Sequence, residues 1–122
     1  DQIILDMQKA KTLADVVIVS FHWGDEYYTH HNSLQENLAH IAIDAGANLV
    51  VGHHPHVRQE VEKYNGGYIA YSLGNFVFDQ NFSEDTKFGS VLEVTLKNKK
   101  IVGLKEQKIG FTSSYQPFLI SQ

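Results

Sequence analysis

Two short apolar runs, Val16-Val17-Ile18-Val19-Ser20-Phe21 and Asn48-Leu49-Val50-Val51-Gly52, constrain the fold of this chain more than any other feature. Runs of this kind, rich in β-branched residues and continuous rather than alternating, fit strands buried on both faces of a parallel sheet covered by helices. Between them Ser33 reads as a helix N-cap, with Glu36 three residues on completing a capping box. Leu34, Leu38, Ile41 and Ala42 then line one stripe of a helix that stops near Gly46. Residues 16–52 therefore form one strand–helix–strand crossover, right-handed if the strands share a sheet. A further helix over residues 2–13 is predicted from Ile3, Ile4, Met7 and Ala10.

The second half of the chain has a different pattern. Gly67 to Leu73 reads as a strand entered through the turn Asn65-Gly66-Gly67. Residues 90–96 alternate, and Ile101-Val102-Gly103-Leu104 returns after the charged turn Lys97-Asn98-Lys99-Lys100, which predicts an antiparallel sheet buried on one face. Residues 79–87 read as a polar loop, and the tail from Thr112 carries no assignment. The whole is an α/β chain.

Composition narrows the chemistry by exclusion. A net charge of −4 leaves no broad basic footprint, so nucleic acid is not an expected partner. With no cysteine, disulfides, thiolate zinc sites and a cysteine nucleophile are excluded within these 122 residues. No apolar run approaches the roughly 20 residues of a membrane span. The chain opens on Asp1 and runs directly into helical spacing, the pattern of a segment taken from a longer protein.

Both predicted parallel strands end in histidine: the first in His22-Trp23-Gly24, the second in His53-His54-Pro55-His56. Open α/β sheets bind ligands beyond the carboxyl ends of their strands, so the two clusters should share a crevice. In an extended segment residues i and i+2 point to one side, which puts His54 and His56 in one ligand field. Pro55 disfavours a helical His54, and Gly52 lets the chain turn sharply at the strand end. His53 alternates away, toward the packed side or behind the ligands. Asp25 and Glu26 are candidates to orient ligand histidines from behind. In Ser72-Leu73-Gly74-Asn75-Phe76, Asn75 either holds a left-handed turn or presents its amide to an anionic substrate oxygen. His30, His31 and His40 read as loop or structural histidines, and Tyr71, Phe76, Phe78 and Phe82 as core or groove wall. The sequence does not place Arg58 or Lys87 against an anion. No Gly-rich phosphate loop and no nucleophile elbow is present in the sequence.

Three stretches carry a resemblance: residues 18–27 (Ile18 to Tyr27), 44–57 (Asp44 to Val57) and 71–79 (Tyr71 to Asp79). Together they resemble the bacterial capsule-synthesis CapA family, also called the poly-gamma-glutamate biosynthesis PgsA family, which is similar to the calcineurin-like metallophosphoesterases. The resemblance implies the C-terminal half of a four-layer αββα sandwich, with residues 1–122 forming that portion and the N-terminal half absent. It implies a site for two divalent ions (Mn, Zn or Fe), with His22 as an isolated ligand and His54 and His56 as a Gly-His-X-His pair. Because His53 stands where that motif has glycine, the choice between His53 and His54 stays open. The superfamily's Asp-X-His, Gly-Asp and Gly-Asn-His segments do not occur here, so this segment alone is expected to be inactive. By the same resemblance the parent is a metal-dependent hydrolase or transferase acting on an anionic polymer or a phosphorylated substrate. The alternative is a non-catalytic component of a polyglutamate synthesis or export complex. In either case the parent is expected at the cell envelope, extracytoplasmic and with membrane partners.

Overall fold

The computed structural model of the protein describes residues 2–120. Its elements run α1 (Gln2–Leu13), β1 (Ile18–His22), α2 (Ser33–Asp44), β2 (Leu49–His53), β3 (Val61–Tyr64), β4 (Gly67–Ala70), a 3-10 turn at Asp85–Lys87, β5 (Phe88–Lys97), β6 (Lys100–Phe111) and β7 (Pro117–Leu119). They form a mixed four-stranded sheet in the order β1-β2-β4-β3 and an antiparallel three-stranded sheet in the order β5-β6-β7. In the first sheet β1, β2 and β4 are mutually parallel, and β3 returns antiparallel beside β4 through a turn in which Asn65 and Gly66 both have positive φ. That geometry suits the tight hairpin turn expected of Asn-Gly.

The helices cover one face of this sheet. Met7, Ala39, Ala42 and Ile43 pack with Val50, Ile69, Tyr71 and Trp23 into a single buried cluster, with Val19 and Phe21 at its margin. Small alanines on α2 let the helix lie close to the strands, and the apolar burial supplies the main stabilising term. The other face has less cover. Ile18, Leu49, Val51 and His53 look across an apolar groove of about 490 Å³ toward Val91, Leu92 and Val94 of β5.

Two expectations are corrected. Asn32 and not Ser33 caps α2: its side chain accepts from Gln35 N, and the Gln35 side chain accepts from Asn32 N in return. Gln35 takes this role because it is buried and its amide also donates to Gln59 Oε1, an anchor that Glu36 on the exposed side lacks. β1 is not covered on both faces. It forms the edge of the sheet among the described residues, and Ile18 is 57% exposed. The aromatic reading as core or groove wall divides: Tyr71 is fully buried, Phe76 lines the apolar groove, and Phe78 and Phe82 stand beside the histidine loops with exposed rings. β3 and β7 lie outside the strands expected from pattern, and β6 runs twelve residues where the pattern predicts four.

The two sheets are tied by short polar and backbone links. Arg58 donates to Ser90 Oγ and to Glu106 Oε1, both at 2.6 Å, joining the loop after β2 to β5 and β6. Ser90 N donates to Leu73 O, and Gly74 makes an isolated bridge with Gly89.

Candidate metal centre

His22 and His53 are register partners at the ends of the parallel strands β1 and β2. The loops that follow are stitched together: Trp23 N donates to His53 O, and Tyr27 N donates to Pro55 O at 2.8 Å. Trp23 anchors the corner. Its ring stacks on Phe21 with centroids 4.5 Å apart, and its indole N–H donates to Tyr71 O at 2.9 Å. Gly52 is the residue this packing requires. A Cβ there would lie 1.9 Å from Tyr71 O and 2.4 Å from the indole nitrogen. Close approach, rather than the sharp turn read from the sequence, explains the glycine.

The stitched loops bring Glu26, His54 and His56 together, with one ligand atom from each within 4.8 Å of the others. The route differs from the extended His-Pro-His arrangement expected from spacing. His54 has φ +104° and His56 φ +61°, so both lie in the left-handed region that side chains with a Cβ disfavour. The pair converges through a bend in which both residues have positive φ. A carboxylate with two imidazoles is a donor set suited to a divalent ion such as Zn, Mn or Fe. The residues present therefore fit a metal, and Glu26 stands among the ligand candidates rather than behind them.

The remaining candidates fall around this group. His22 lies beside His54, ring centroids 4.7 Å apart, outside the three-residue group. His53 faces the apolar groove instead. Desolvation against the groove, and then charge on His22, lower its pKa and favour the neutral ring. Asp25 turns back to accept from Asn32 Nδ2 at 2.8 Å, bracing the cap of α2. Asn75 is buried. Its Oδ1 lies 2.9 Å from His56 Nδ1, and its amide nitrogen donates to Thr86 O at 3.0 Å. Aromatic rings wall the group: Phe78 lies 5.1 Å from the His56 ring, and Tyr27 meets Phe82 edge-on at 5.0 Å.

The loop histidines form a second network. His30 and His31 engage the two carboxylate oxygens of Glu60 at 2.5 and 3.1 Å, and His31 stacks on Tyr71. Burial alone would raise the Glu60 pKa, but hydrogen bonds from His30, from its own backbone N–H and from His31 outweigh it and hold the carboxyl at about 2. His40 stacks on Tyr64 and lies 3.2 Å from Glu62, which also accepts from the Tyr71 hydroxyl at 2.6 Å. Lys87 pairs with Glu84. Sequence reading missed the Glu60 and Glu62 clasps, since the histidines that hold them lie 22 to 30 residues away in the chain.

Fold and site together define a mixed α/β scaffold with a candidate metal-ligand group on loops beyond its parallel strand ends. Residues 1–80 match the family described as bacterial capsule synthesis protein PGA_cap, and the chain belongs to that family. It is 48% identical over 91 residues to the PGA biosynthesis protein CapA of Bacillus subtilis, covering 75% of this chain and 24% of that protein. It is 44% identical over 102 residues to the capsule biosynthesis protein CapA of Bacillus anthracis, covering 80% and 25%. A probable polyglutamine synthesis accessory protein of Mycobacterium tuberculosis is 34% identical over 79 residues, covering 65% and 21%. The chain thus spans about a quarter of the length of these curated relatives. Among the described residues no helix is long and apolar enough to cross a membrane.

Proposed function

We propose that this chain supplies one side of a divalent-metal centre in a capsule or poly-gamma-glutamate biosynthesis protein. In the intact protein the centre would act as a hydrolase or transferase on an anionic polymer or a phosphorylated substrate. The convergence of Glu26, His54 and His56 beyond the parallel strands carries the reading. A divalent ion bound there would polarise a phosphoryl or carbonyl oxygen and acidify a water. The Glu26 carboxylate offsets cationic charge, while His54 and His56 offer neutral nitrogen donors. Tyr27, Phe78 and Phe82 line one flank with aromatic rings. His22, next to His54, is the candidate for a second ion.

The rest of the ligand shell, on this reading, comes from sequence outside these 122 residues, as does cover for the β1 edge and the apolar groove. An open edge and an apolar face are features that proteins normally cover, and the relatives are about four times as long. The full four-layer sandwich and its place at the cell envelope belong to this proposal. The segment alone would be inactive.

The test is metal analysis of the intact protein beside its Glu26→Gln, His54→Ala and His56→Ala variants. Each variant should lose bound metal. Unchanged content in all three would overturn the centre. Turnover is then assayed on a phosphodiester and on a γ-linked glutamate oligomer.

A second reading, a non-catalytic component of a synthesis complex, draws on the exposed Phe76, Val77 and Phe82, which could meet a partner, and on the accessory role in the mycobacterial relative's name. It prevails if the metal-loaded protein turns over neither compound while its loss abolishes polymer formation.

A further inference from the structure

We infer that Asn75 is a positioning residue: it holds His56 in the Nδ1–H tautomer, leaving Nε2 as the nitrogen offered to a divalent cation. The inference rests on the proposed centre for its purpose, but the tautomer itself follows from hydrogen bonds within the chain.

The orientation is set from Thr86 outward. Thr86 is fully buried and its carbonyl oxygen can only accept. That oxygen lies 3.0 Å from Asn75 Nδ2, so the NH2 end of the amide must face it. The reversed amide would set two oxygens against each other at a site only 5% exposed, where water has little access to relieve the clash. The second proton of that NH2 points toward Gln80 Oε1 at 3.4 Å, consistent with the same orientation. With the amide so oriented, Oδ1 faces His56 Nδ1 at 2.9 Å. An amide oxygen accepts, so Nδ1 must carry the proton, and in the neutral ring Nε2 then holds the lone pair. Ligand histidines are commonly oriented by just such an acceptor on the other ring nitrogen.

The backbone of Asn75 is held as tightly as its amide. Gly74 bridges to Gly89 of β5, and a Cβ at Gly89 would lie only 1.8 Å from Asn75 O. Thr86 is fixed in turn by its hydroxyl, which donates to Ser83 O at 2.9 Å. The antiparallel sheet and the loop before it, which supply no residue of the ligand group, would then serve the centre by aiming one imidazole.

The test uses intact protein with ring-15N histidine, free of metal, at alkaline pH where imidazoles are neutral. The wild-type His56 should show a protonated Nδ1 and an unprotonated Nε2. Asn75→Leu should move it toward the Nε2–H form that histidine favours in water, and should weaken zinc or manganese binding roughly 10–100-fold. Asn75→Asp keeps an acceptor for Nδ1–H but sets its second oxygen against Thr86 O, so a retained wild-type tautomer in a destabilised protein separates aiming from packing. A wild-type His56 protonated at Nε2, or an Asn75→Leu protein with the tautomer unchanged, overturns the inference. A shifted tautomer with unchanged metal affinity leaves Asn75 its hold on the ring but refutes His56 as a ligand.

Discussion

His54 offers a test of whether the centre is built at the expense of the fold. Its φ of +104° lies in a region where any residue with a Cβ is strained, and the ring it carries belongs to the ligand group. Such a conformation costs on the order of 1–3 kcal/mol. His54→Ala removes the imidazole and keeps the strain, whereas His54→Gly removes both. Glycine also carries extra unfolded-state entropy, a penalty of roughly 0.5–1 kcal/mol against alanine. The difference leaves His54→Gly more stable than His54→Ala by about 1 kcal/mol. Both variants forgo the packing of the imidazole beside His22 to the same extent, so that effect cancels between them. Urea denaturation of the metal-free intact protein reads this difference as a shift in midpoint at constant slope. Both variants should be equally poor in metal binding. An alanine variant as stable as the glycine variant, or more so, would show that the turn carries no strain and refute the reasoning.

Three further perturbations test the scaffold around the centre. Gly52→Ala drives a Cβ into Tyr71 O and the Trp23 indole, and should cost about 3 kcal/mol or more from overpacking and a lost buried hydrogen bond; a loss under about 1 kcal/mol in urea would refute the close packing. Arg58→Met removes one polar link between the two sheets and leaves Glu106 only Ser90 Oγ as a partner, for an expected loss of about 1–3 kcal/mol, and adding Glu106→Gln should cost much less than it does alone. Glu60 has its pKa lowered in the folded state, so its contribution is present above about 4.5 and is lost as pH falls toward about 2. Glu60→Gln should therefore flatten the decline in urea midpoint across that window, and equal slopes in both proteins would discount the histidine clasp.

The parallel core was legible because burial leaves a simple signature. Residues 49–51 form a continuous apolar run, and β2 does sit between two parallel neighbours. The run at residues 16–21 looked the same, yet β1 is a half-exposed edge. A sequence pattern reports the burial a strand is suited to, whichever part of the protein provides it. The miss at β3 has another cause. Val61-Glu62-Lys63-Tyr64 places charges on a strand that lies at the sheet edge, and Glu62 is satisfied by His40 and Tyr71 from outside that strand. Without those partners in view, a strand with two charged residues in four reads as loop.

At the site, residue types were legible and directions were not. Placement after the strand ends singled out His54 and His56, which the structure brings together, but spacing explained their convergence by an extended segment where both residues have positive φ. Glu26 could not be told from Asp25 by position. They are neighbours in one loop, and only the hydrogen bond of Asp25 to Asn32 and the backbone clasp of Tyr27 to Pro55 send one to the helix cap and the other to the histidines. Asn75 stood out beside a glycine, but its role depends on Thr86 and Gly89, whose approach is set by the second sheet. Each failure has the same form: local preference was overruled by an interaction with another segment of the chain. Such conflicts are expected where side chains must point at a ligand rather than settle into the core. The positions where residues sit against their own backbone preference are therefore the ones to mutate first when the chemistry of this chain is tested.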